Sequence, residues 1–189
     1  PPDWGEHTFN IYKGDVVIDC GAAQGLFYLA VKDSNPDYYG FEPSPTQFED
    51  LKYNLSEEEN IYDKALWKSS GSELELFVND WNNDSSAIQP DEVNEVIKVE
   101  TISLDDFIDT IGKNIKLIKI EAEGAEPEVL EGLDKNISKV NYITIDAGFE
   151  RNGKSTISEC IHYLISRNFE LIDFYQPRVG LLFKNRNIN

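Results

Sequence analysis

Residues 16–25 constrain the fold of this chain more than any other part of the sequence. They read VVIDCGAAQG, an apolar stretch that ends in an acid and continues into a loop bracketed by Gly21 and Gly25. A helical stretch follows at once, and a second apolar stretch ends in Phe41-Glu42-Pro43. This order predicts a strand, a tight loop, a helix and a second strand tipped with a carboxylate. Such a unit holds an adenosine-bearing cofactor at the carboxyl ends of parallel strands.

The rest of the sequence continues the alternation of strands and helices. Short stretches rich in β-branched and aromatic residues predict strands at 16–19, 38–42, 61–65, 74–78, 97–101, 116–121, 142–146, 171–175 and 180–184. Apolar residues at helical spacing, or a proline at the start and a glycine at the end, predict helices at 25–31, 44–55, 104–111, 126–132 and 155–167. This alternation is typical of a parallel α/β sheet.

The last two predicted strands differ from the others because only Gln176-Pro177-Arg178-Val179 joins them. So short a connection favours an antiparallel hairpin at the edge of the sheet. The predicted fold is therefore Rossmann-like, with a mostly parallel seven-stranded sheet, an antiparallel C-terminal hairpin strand and helices on both faces. Class I methyltransferases have this arrangement, whereas nicotinamide-binding domains are usually parallel throughout.

Composition limits the kinds of partner. We expect residues 1–189 to form one domain. The net charge of −18 argues against nucleic acid and against an anionic membrane surface as partners. Cys20 and Cys160 are far apart in sequence and are expected to be buried and free, which fits a reducing cytoplasm. We see no secretory leader and no apolar stretch of the ~20 residues that a membrane span needs.

The chain begins Pro1-Pro2 and contains no methionine, so we expect it to be processed or trimmed. Two interpretations of residues 1–14 stay open. They form a lid over the site, or they are the remainder of a truncated N-terminal region. The sequence carries no signal for an oligomeric state.

The loop after the first strand distinguishes between cofactors. Asp19-x-Gly21-x-x-x-Gly25 does not match the G-x-G-x-x-G spacing that cradles a pyrophosphate. A sulfonium cofactor has no phosphate and does not need that approach. We expect the backbone at Gly21, Ala22 and Gly25 to pass close to the amino-acid end of such a cofactor. Asp19 would accept a hydrogen bond from its amine, directly or through water, and Glu42 would bind its ribose hydroxyls.

A second acidic block follows the predicted strand 116–121. It reads Glu121-Ala122-Glu123-Gly124-Ala125-Glu126, which crowds carboxylates into a turn next to the end of the first strand. Glu126 and Glu128 are expected in the first turn of a helix, where acids interact favourably with the helix dipole. Glu121 and Glu123 are then the candidates for the site.

These blocks together resemble the FkbM family of S-adenosylmethionine-dependent methyltransferases over nearly the whole chain. Residues 17–25 are similar to the family's opening motif, and Phe41-Glu42-Pro43 is similar to its second motif. Residues 65–66, 101–106 and 119–126 follow the family order, and the last of these is the most distinctive. The chain departs from the family at Ala23-Gln24, at Glu121 in place of the usual Asp, and at Asp146 in place of a common Glu.

The resemblance implies methyl transfer to an oxygen, often a hydroxyl of a small molecule, sugar or glycan. Glu121 and Glu123 would then be catalytic carboxylates that accept the hydroxyl proton, and Asp146 would orient them or bind substrate. The cofactor set would be Asp19, Gly21, Ala22, Gly25, Glu42, Pro43, Asp63, Ala65 and Glu121, with Asp63 and Ala65 beside the adenine. A divalent ion on Glu121, Glu123 and Asp146 is an alternative that we do not favour.

Two other functions stay open at this point. A methyltransferase-like module could bind cofactor without activity of its own, although the retained Asp19, Glu42 and Glu123 argue against loss of activity. A nicotinamide-dependent enzyme is disfavoured by the glycine spacing and the edge hairpin.

Overall fold

The computed structural model describes residues 9–55, 60–79, 84–88, 95–176 and 179–188. Its strands are β1 Val16–Cys20, β2 Asp37–Phe41, β3 Ile61–Tyr62, β4 Ala65–Leu66, β5 Glu73–Asn79, β6 Asp84–Ser86, β7 Glu95–Ile102, β8 Ile115–Ile120, β9 Val140–Asp146, β10 Phe169–Tyr175 and β11 Gly180–Asn185. Its α-helices are α1 Leu26–Val31, α2 Pro45–Asn54, α3 Leu104–Ile111, α4 Glu126–Glu131 and α5 Ile157–Ser166. Short 3₁₀ turns cover Lys32–Ser34 and Ile137–Lys139.

The larger sheet has seven strands in the order β10-β11-β9-β8-β1-β2-β3. Neighbours from β9 to β3 pair in parallel, and β11 alone runs antiparallel between β9 and β10. The sequence prediction of a mostly parallel sheet with an antiparallel C-terminal hairpin is confirmed. Because the chain reverses direction in the sheet order at β1, the carboxyl ends of β1, β2 and β8 border one crevice.

A second sheet was not expected from the sequence. Strands β4, β7, β5 and β6 form it in that order, with β5 antiparallel to both β6 and β7. The predicted strand 61–65 is in fact two strands, since residues 61–62 pair with β2 whereas residues 65–66 pair with β7. Residues 74–78 and 97–101 are strands as predicted, but they belong to this second sheet.

Side chains of β1 divide the core between the two faces of the larger sheet. Val16, Ile18 and Cys20 pack on the face that α3, α4 and α5 cover. Val17 packs on the opposite face, beneath α1 and α2. Alternate residues of a strand point to opposite faces, so a strand buried on both sides is apolar throughout. All of β1 is buried, including Asp19, the acid in its apolar stretch.

Both cysteines are free and buried, as the sequence predicts. Burial raises the pKa of the Cys160 thiol to about 12 and that of Cys20 further still, so neither is a thiolate at neutral pH. Both therefore contribute to packing.

The N-terminal segment is described from residue 9, so residues 1–8 of the predicted lid lie outside the described part. Phe9 stacks on Tyr142 of β9 at 4.3 Å between ring centroids. Residues 9–14 do not line the cavity described below. Among the described residues, no helix is long and apolar enough to cross a membrane.

Candidate active site

The site is a cavity of about 440 Å³ at the carboxyl ends of β1, β2 and β8. One wall consists of the loop after β1 with the start of α1, and a second consists of the end of β2. The loop after β8 forms a third wall, and residues of β4 and β5 close the far side. Ligand pockets in proteins typically have volumes of roughly 300–1,000 Å³. The cavity is therefore large enough for a small cofactor and is built mainly by loops that follow parallel strands.

The loop after β1, residues 21–25 and called the β1 loop below, fits its place only because of its glycines. Gly21 has φ +72°, and a Cβ there would lie 1.9 Å from the carbonyl oxygen of Glu121. Gly25 has φ +88°, and a Cβ there would lie 2.4 Å from Leu55, which directly follows α2. Gly21 lines the cavity, whereas Gly25 does not. The predicted backbone approach is available at Gly21 and Ala22, and Gly25 instead lets α2 pack against the loop.

Glu42 follows β2 and braces the β1 loop. Its Oε2 accepts a hydrogen bond from the backbone N–H of Ala23 at 2.9 Å, and its Oε1 accepts one from Ser44 at 2.8 Å. Burial raises the pKa of Glu42 to about 7, although both backbone donors oppose the shift. Each carboxylate oxygen has two lone pairs, so Glu42 retains acceptor capacity toward the cavity that it lines.

Asp19 lies behind the cavity wall, with none of its surface exposed. The Tyr38 hydroxyl donates to its Oδ2 at 2.6 Å, and Lys119 Nζ lies 3.0 Å from its Oδ1. Burial raises the pKa of Asp19, whereas Lys119 and Tyr38 act in the opposite direction. Asp19 does not line the cavity. Its predicted hydrogen bond to a cofactor amine, directly or through water, stays a prediction.

Lys119 is the cation of the site. Its Nζ donates to the Gly21 carbonyl oxygen at 2.6 Å and lies 3.0 Å from Glu121 Oε2. Burial alone would lower the pKa of Lys119, but Asp19 and Glu121 outweigh burial and raise the pKa above its ordinary value. Lys119 is therefore a charged group that joins the β1 loop to the acidic block.

The loop after β8, residues 121–125 and called the β8 loop below, carries two carboxylates that line the cavity, Glu121 and Glu123. Glu123 adopts φ +49°, an uncommon conformation for a residue other than glycine. The Ser86 hydroxyl donates to the Glu123 carbonyl oxygen at 2.8 Å, so a residue of the second sheet supports this strained position. Backbone strain of this kind is common at functional sites.

Glu126 supports the β8 loop from within. Its Oε1 accepts hydrogen bonds from the backbone N–H groups of Ala122 at 3.1 Å and Gly124 at 2.9 Å. Its Oε2 accepts one from the Thr156 hydroxyl at 2.8 Å. Arg151 pairs with Glu128 and donates to the Gly124 carbonyl oxygen, so its charge is used inside the protein. The expectation that Glu126 and Glu128 belong to the first turn of a helix is met by α4, and both also fix the loop.

The structure brings most, but not all, of the predicted site residues together. The residues that line the cavity are Gly21, Ala22, Glu42, Pro43, Ala65, Glu121 and Glu123. Those that do not line it are Asp19, Gly25, Asp63 and Asp146. Asp63 is exposed in the bend between β3 and β4, because the predicted strand divides there. Asp146 ends β9, one strand beyond β8, and pairs in register with Gly180.

The alternative of a metal held by Glu121, Glu123 and Asp146 finds no support. Across the described ranges, no three His, Cys, Asp or Glu side chains are grouped closely enough to hold a metal ion. A catalytic role for Asp146 was predicted from its place at a strand end, and the structure separates it from the cavity wall.

Some lining residues were missed by the sequence reasoning. Lys119 carried a usable signal, because it precedes Glu121 by two positions on a strand and so shares its face. Leu74 and Leu76 also line the cavity, and their alternation with Glu73 and Glu75 shows an apolar face. That this apolar face borders the cavity follows from the second sheet, and the sequence did not predict that sheet.

The chemistry of the lining fits S-adenosylmethionine. Glu42 offers a carboxylate suited to a ribose, and the β1 loop offers backbone without bulky side chains. Ala65 and Leu66 provide a small apolar surface on the far side. Among the residues that the structure describes, the charged ones that line the cavity are Glu42, Glu121, Glu123 and Lys119, an acidic excess that favours a cationic sulfur.

Strand order, crevice and lining together define a class I S-adenosylmethionine-dependent methyltransferase domain. Comparison with known proteins then identifies the family. The family model described as "Methyltransferase FkbM domain" matches residues 19–171, and the chain belongs to the FkbM methyltransferase family.

Relatives agree with this assignment. "Methyltransferase 1" of Beauveria bassiana (strain ARSEF 2860) is 26% identical over an alignment of 145 residues, and the match covers 62% of this chain and 58% of that protein. The chain therefore spans less than two thirds of that relative's length.

Solved structures share the fold. Methanococcus jannaschii fibrillarin, a pre-rRNA processing protein, has a TM-score of 0.55 at 16% identity and covers 96% of this chain and 70% of its own. Aeropyrum pernix fibrillarin with natively bound S-adenosyl-L-methionine has a TM-score of 0.55 at 14% identity, covering 95% and 70%. The precorrin-6y C5,15-methyltransferase of Geobacter metallireducens has a TM-score of 0.52 at 10% identity, covering 93% and 81%. At these identities the likeness concerns the fold alone.

Proposed function

We propose that this chain transfers the methyl group of S-adenosylmethionine to a hydroxyl oxygen of a small molecule or carbohydrate. The observation that carries the proposal is that Glu121 and Glu123 line the same cavity as Glu42 and Gly21. The groups suited to holding the cofactor and the groups suited to accepting a proton thus share one space. The cytoplasm is the proposed compartment.

In this proposal Glu42 binds the ribose hydroxyls, and the backbone of Gly21 and Ala22 lies along the amino-acid end of the cofactor. Asp19 acts indirectly, through Lys119, rather than by contact with the cofactor. Ala65 lies beside the adenine, whereas the exposed Asp63 contributes nothing. The support is the cavity lining, which includes Glu42, Gly21, Ala22 and Ala65.

When bound, S-adenosylmethionine supplies a methyl group on a positively charged sulfur, which keeps the electrons of the broken C–S bond and leaves as neutral S-adenosylhomocysteine. The acceptor oxygen forms the new bond to the methyl carbon, and Glu121 or Glu123 accepts its proton. Positioning contributes most of the rate, because the reacting atoms must be in line.

The charges of the site favour an uncharged acceptor. Lys119, the cation among the cavity-lining residues that the structure describes, is paired with Asp19 and Glu121. Arg151 is paired with Glu128, so it does not offer a site for a phosphate. Although two of the similar structures are fibrillarins, a net charge of −18 disfavours RNA, since binding to nucleic acid depends on cationic contacts with phosphates. We propose that the acceptor is neither nucleic acid nor a phosphorylated sugar.

The experiment has two stages. Calorimetric titration with S-adenosylmethionine tests cofactor binding, and absence of binding would overturn the proposal. Transfer of a labelled methyl group is then measured on a panel of neutral sugars, glycans and hydroxylated small molecules, with sugar phosphates and RNA as matched comparisons. We expect labelled product from a neutral acceptor, with the methyl on oxygen by mass spectrometry. Tight cofactor binding without transfer to any compound would support a binding module instead.

The variant Glu121→Gln separates catalysis from binding in the same assay. It is nearly isosteric and retains an acceptor oxygen, but it does not accept a proton. We expect turnover to fall about a hundredfold while the dissociation constant for S-adenosylmethionine changes less than about threefold. Glu49→Gln, on an exposed ion pair with Lys52, is the control. Equal turnover in the two variants would show that Glu121 is not the base.

A further inference from the structure

Lys119 is the one charged group in the described part of the site that contacts both the β1 loop and the β8 loop. Its Nζ donates to the Gly21 carbonyl oxygen at 2.6 Å. The same atom lies 3.0 Å from Asp19 Oδ1 and 3.0 Å from Glu121 Oε2. The ammonium group thus hydrogen-bonds a backbone carbonyl of the β1 loop and forms ion pairs with two carboxylates.

The contacts extend across three neighbouring parallel strands. Tyr38 on β2 donates to Asp19 on β1, Asp19 pairs with Lys119 on β8, and Lys119 pairs with Glu121 just beyond β8. Asp19 and Lys119 are register partners in the sheet, so the strand pairing itself places them side by side. The chain of contacts therefore connects the buried core to a carboxylate that lines the cavity.

We infer that Lys119 is a positioning residue that couples the cofactor loop to Glu121, the carboxylate that faces the acceptor. It acts through its neighbours, because its Nζ donates to the Gly21 carbonyl oxygen and forms ion pairs with Asp19 and Glu121. Asp19 serves as the buried counterion that holds Lys119 in place. The inference rests on the proposed function for what the two loops bind, but the link between Lys119 and Glu121 is testable without any ligand.

Burial makes the design of variants important. Lys119 has 14% of its side chain exposed, and removing it alone would leave the fully buried Asp19 without its cation. Breaking a buried pair is far more disruptive than removing both members. The combined variant Asp19→Asn with Lys119→Met removes both charges of the pair, so neither is left buried without the other. Lys113→Met, at an exposed ion pair with Asp37, is the matched control for loss of one lysine.

The first measurement uses S-adenosylhomocysteine as the probe, in calorimetric titrations. We expect Asp19→Asn/Lys119→Met to bind it about tenfold more weakly than the wild type, because the Gly21 carbonyl loses its donor. Lys113→Met should remain within about twofold. A folded double variant with wild-type affinity would overturn the inference.

The second measurement is spectroscopic and needs no folded double variant. Lysine ammonium resonances are recorded in ¹H–¹⁵N spectra of the wild-type protein, with Lys119 assigned by Lys119→Arg. We expect the Lys119 signal to shift in Glu121→Gln and on addition of S-adenosylhomocysteine, while the Lys113 signal stays in place. The shift in Glu121→Gln checks the contact itself, since that substitution removes a charge 3.0 Å from Nζ. The shift on addition of S-adenosylhomocysteine checks the coupling, because a purely structural lysine would not respond to the ligand. Absence of the ligand-induced shift would overturn the inference.

The two proposals fail differently. If the wild type binds neither S-adenosylmethionine nor S-adenosylhomocysteine, the proposed function is wrong, while the shift caused by Glu121→Gln still decides whether Lys119 is linked to Glu121. If the wild type binds both ligands and the Lys119 signal does not respond to Glu121→Gln or to ligand, the function stands and the inference is wrong.

Discussion

The β1 loop and the β8 loop face each other across one cavity, but they are built differently. The β1 loop depends on backbone, since Gly21 lets it pass within contact distance of Glu121. The β8 loop depends on side chains, because Glu126 and Arg151 hold its backbone from behind. Acids near the strand ends therefore have different roles. Asp19 is buried as a counterion, whereas Glu121 and Glu123 are presented to the cavity.

The largest effect on stability should come from Gly21→Ala, which disturbs the β1 loop. A Cβ would lie 1.9 Å from the Glu121 carbonyl oxygen, and φ is +72°. Strain and overpacking together should cost about 4 kcal/mol of the free energy of unfolding, measured by urea denaturation. Gly71→Ala is the matched control, because it has φ +73° but open space around it, and should cost only about 1 kcal/mol. Equal losses of unfolding free energy in the two variants would show that the close approach of the β1 and β8 loops does not contribute to the cost of Gly21→Ala.

Glu126→Ala, which removes the acceptor that holds the β8 loop, should have the next largest effect on stability. It leaves two backbone N–H groups and the Thr156 hydroxyl without their acceptor, which should cost about 3 kcal/mol of unfolding free energy. Glu126→Gln should stay within about 1 kcal/mol of the wild type, because an amide can accept from both N–H groups and donate to Thr156. Denaturation of both variants checks this, and a Gln variant as unstable as the Ala variant would show that the charge itself is required.

The affinity for S-adenosylmethionine should depend on pH through Glu42, which accepts a hydrogen bond from the β1 loop. Burial raises the pKa of Glu42 to about 7, so the carboxylate gains a proton as the pH falls through that value. From pH 8 to pH 6 the charged fraction falls from about nine tenths to about one tenth. We expect affinity for S-adenosylmethionine to weaken about tenfold over this range, by calorimetry.

The Glu42→Gln variant is the control for that pH dependence. It should bind S-adenosylmethionine weakly at pH 8 and lose the pH dependence, because an amide does not titrate here. Glu49→Gln, far from the cavity lining, should retain the wild-type profile. A variant at Glu42 that still weakens tenfold between pH 8 and pH 6 would assign the titration to another group.

The smallest effect is expected from Asp146→Asn. The sequence suggested a catalytic role, but Asp146 does not line the cavity. We expect the rate of methyl transfer to change by less than about threefold, compared with about a hundredfold for Glu121→Gln. A loss as large as that of Glu121→Gln would show that the cavity walls rearrange to bring β9 into the site.

Sequence reasoning predicted the larger sheet well because its central strands β1 and β8 consist mainly of buried apolar residues. It failed at residues 61–65, where one short stretch of chain contributes to two sheets. The sequence of these five residues does not show that the first two pair with β2 whereas the last pairs with β7. The same failure hid the far wall of the cavity, since the position of Leu74 and Leu76 depends on that second sheet.

For the site, a strand end was the best sequence signal and also the source of the errors. Glu42 and Glu121 directly follow strands and line the cavity. Asp19 is the penultimate residue of β1 and Asp146 the last residue of β9, and neither lines it. The direction of a side chain at a strand end depends on the last turn of backbone and on its neighbours. For Asp19 the deciding neighbours are Tyr38 and Lys119, which are distant in sequence.

The sequence by itself determined the parallel α/β class, the C-terminal hairpin and the two loops that border the cavity, because these follow from local periodicity and from glycine spacing. Only the tertiary structure decided which acids are buried and which are presented. The physical reason is that a carboxylate can stay buried only where hydrogen-bond donors or a cation converge on it. Strand register, which places Lys119 beside Asp19, decides where that happens.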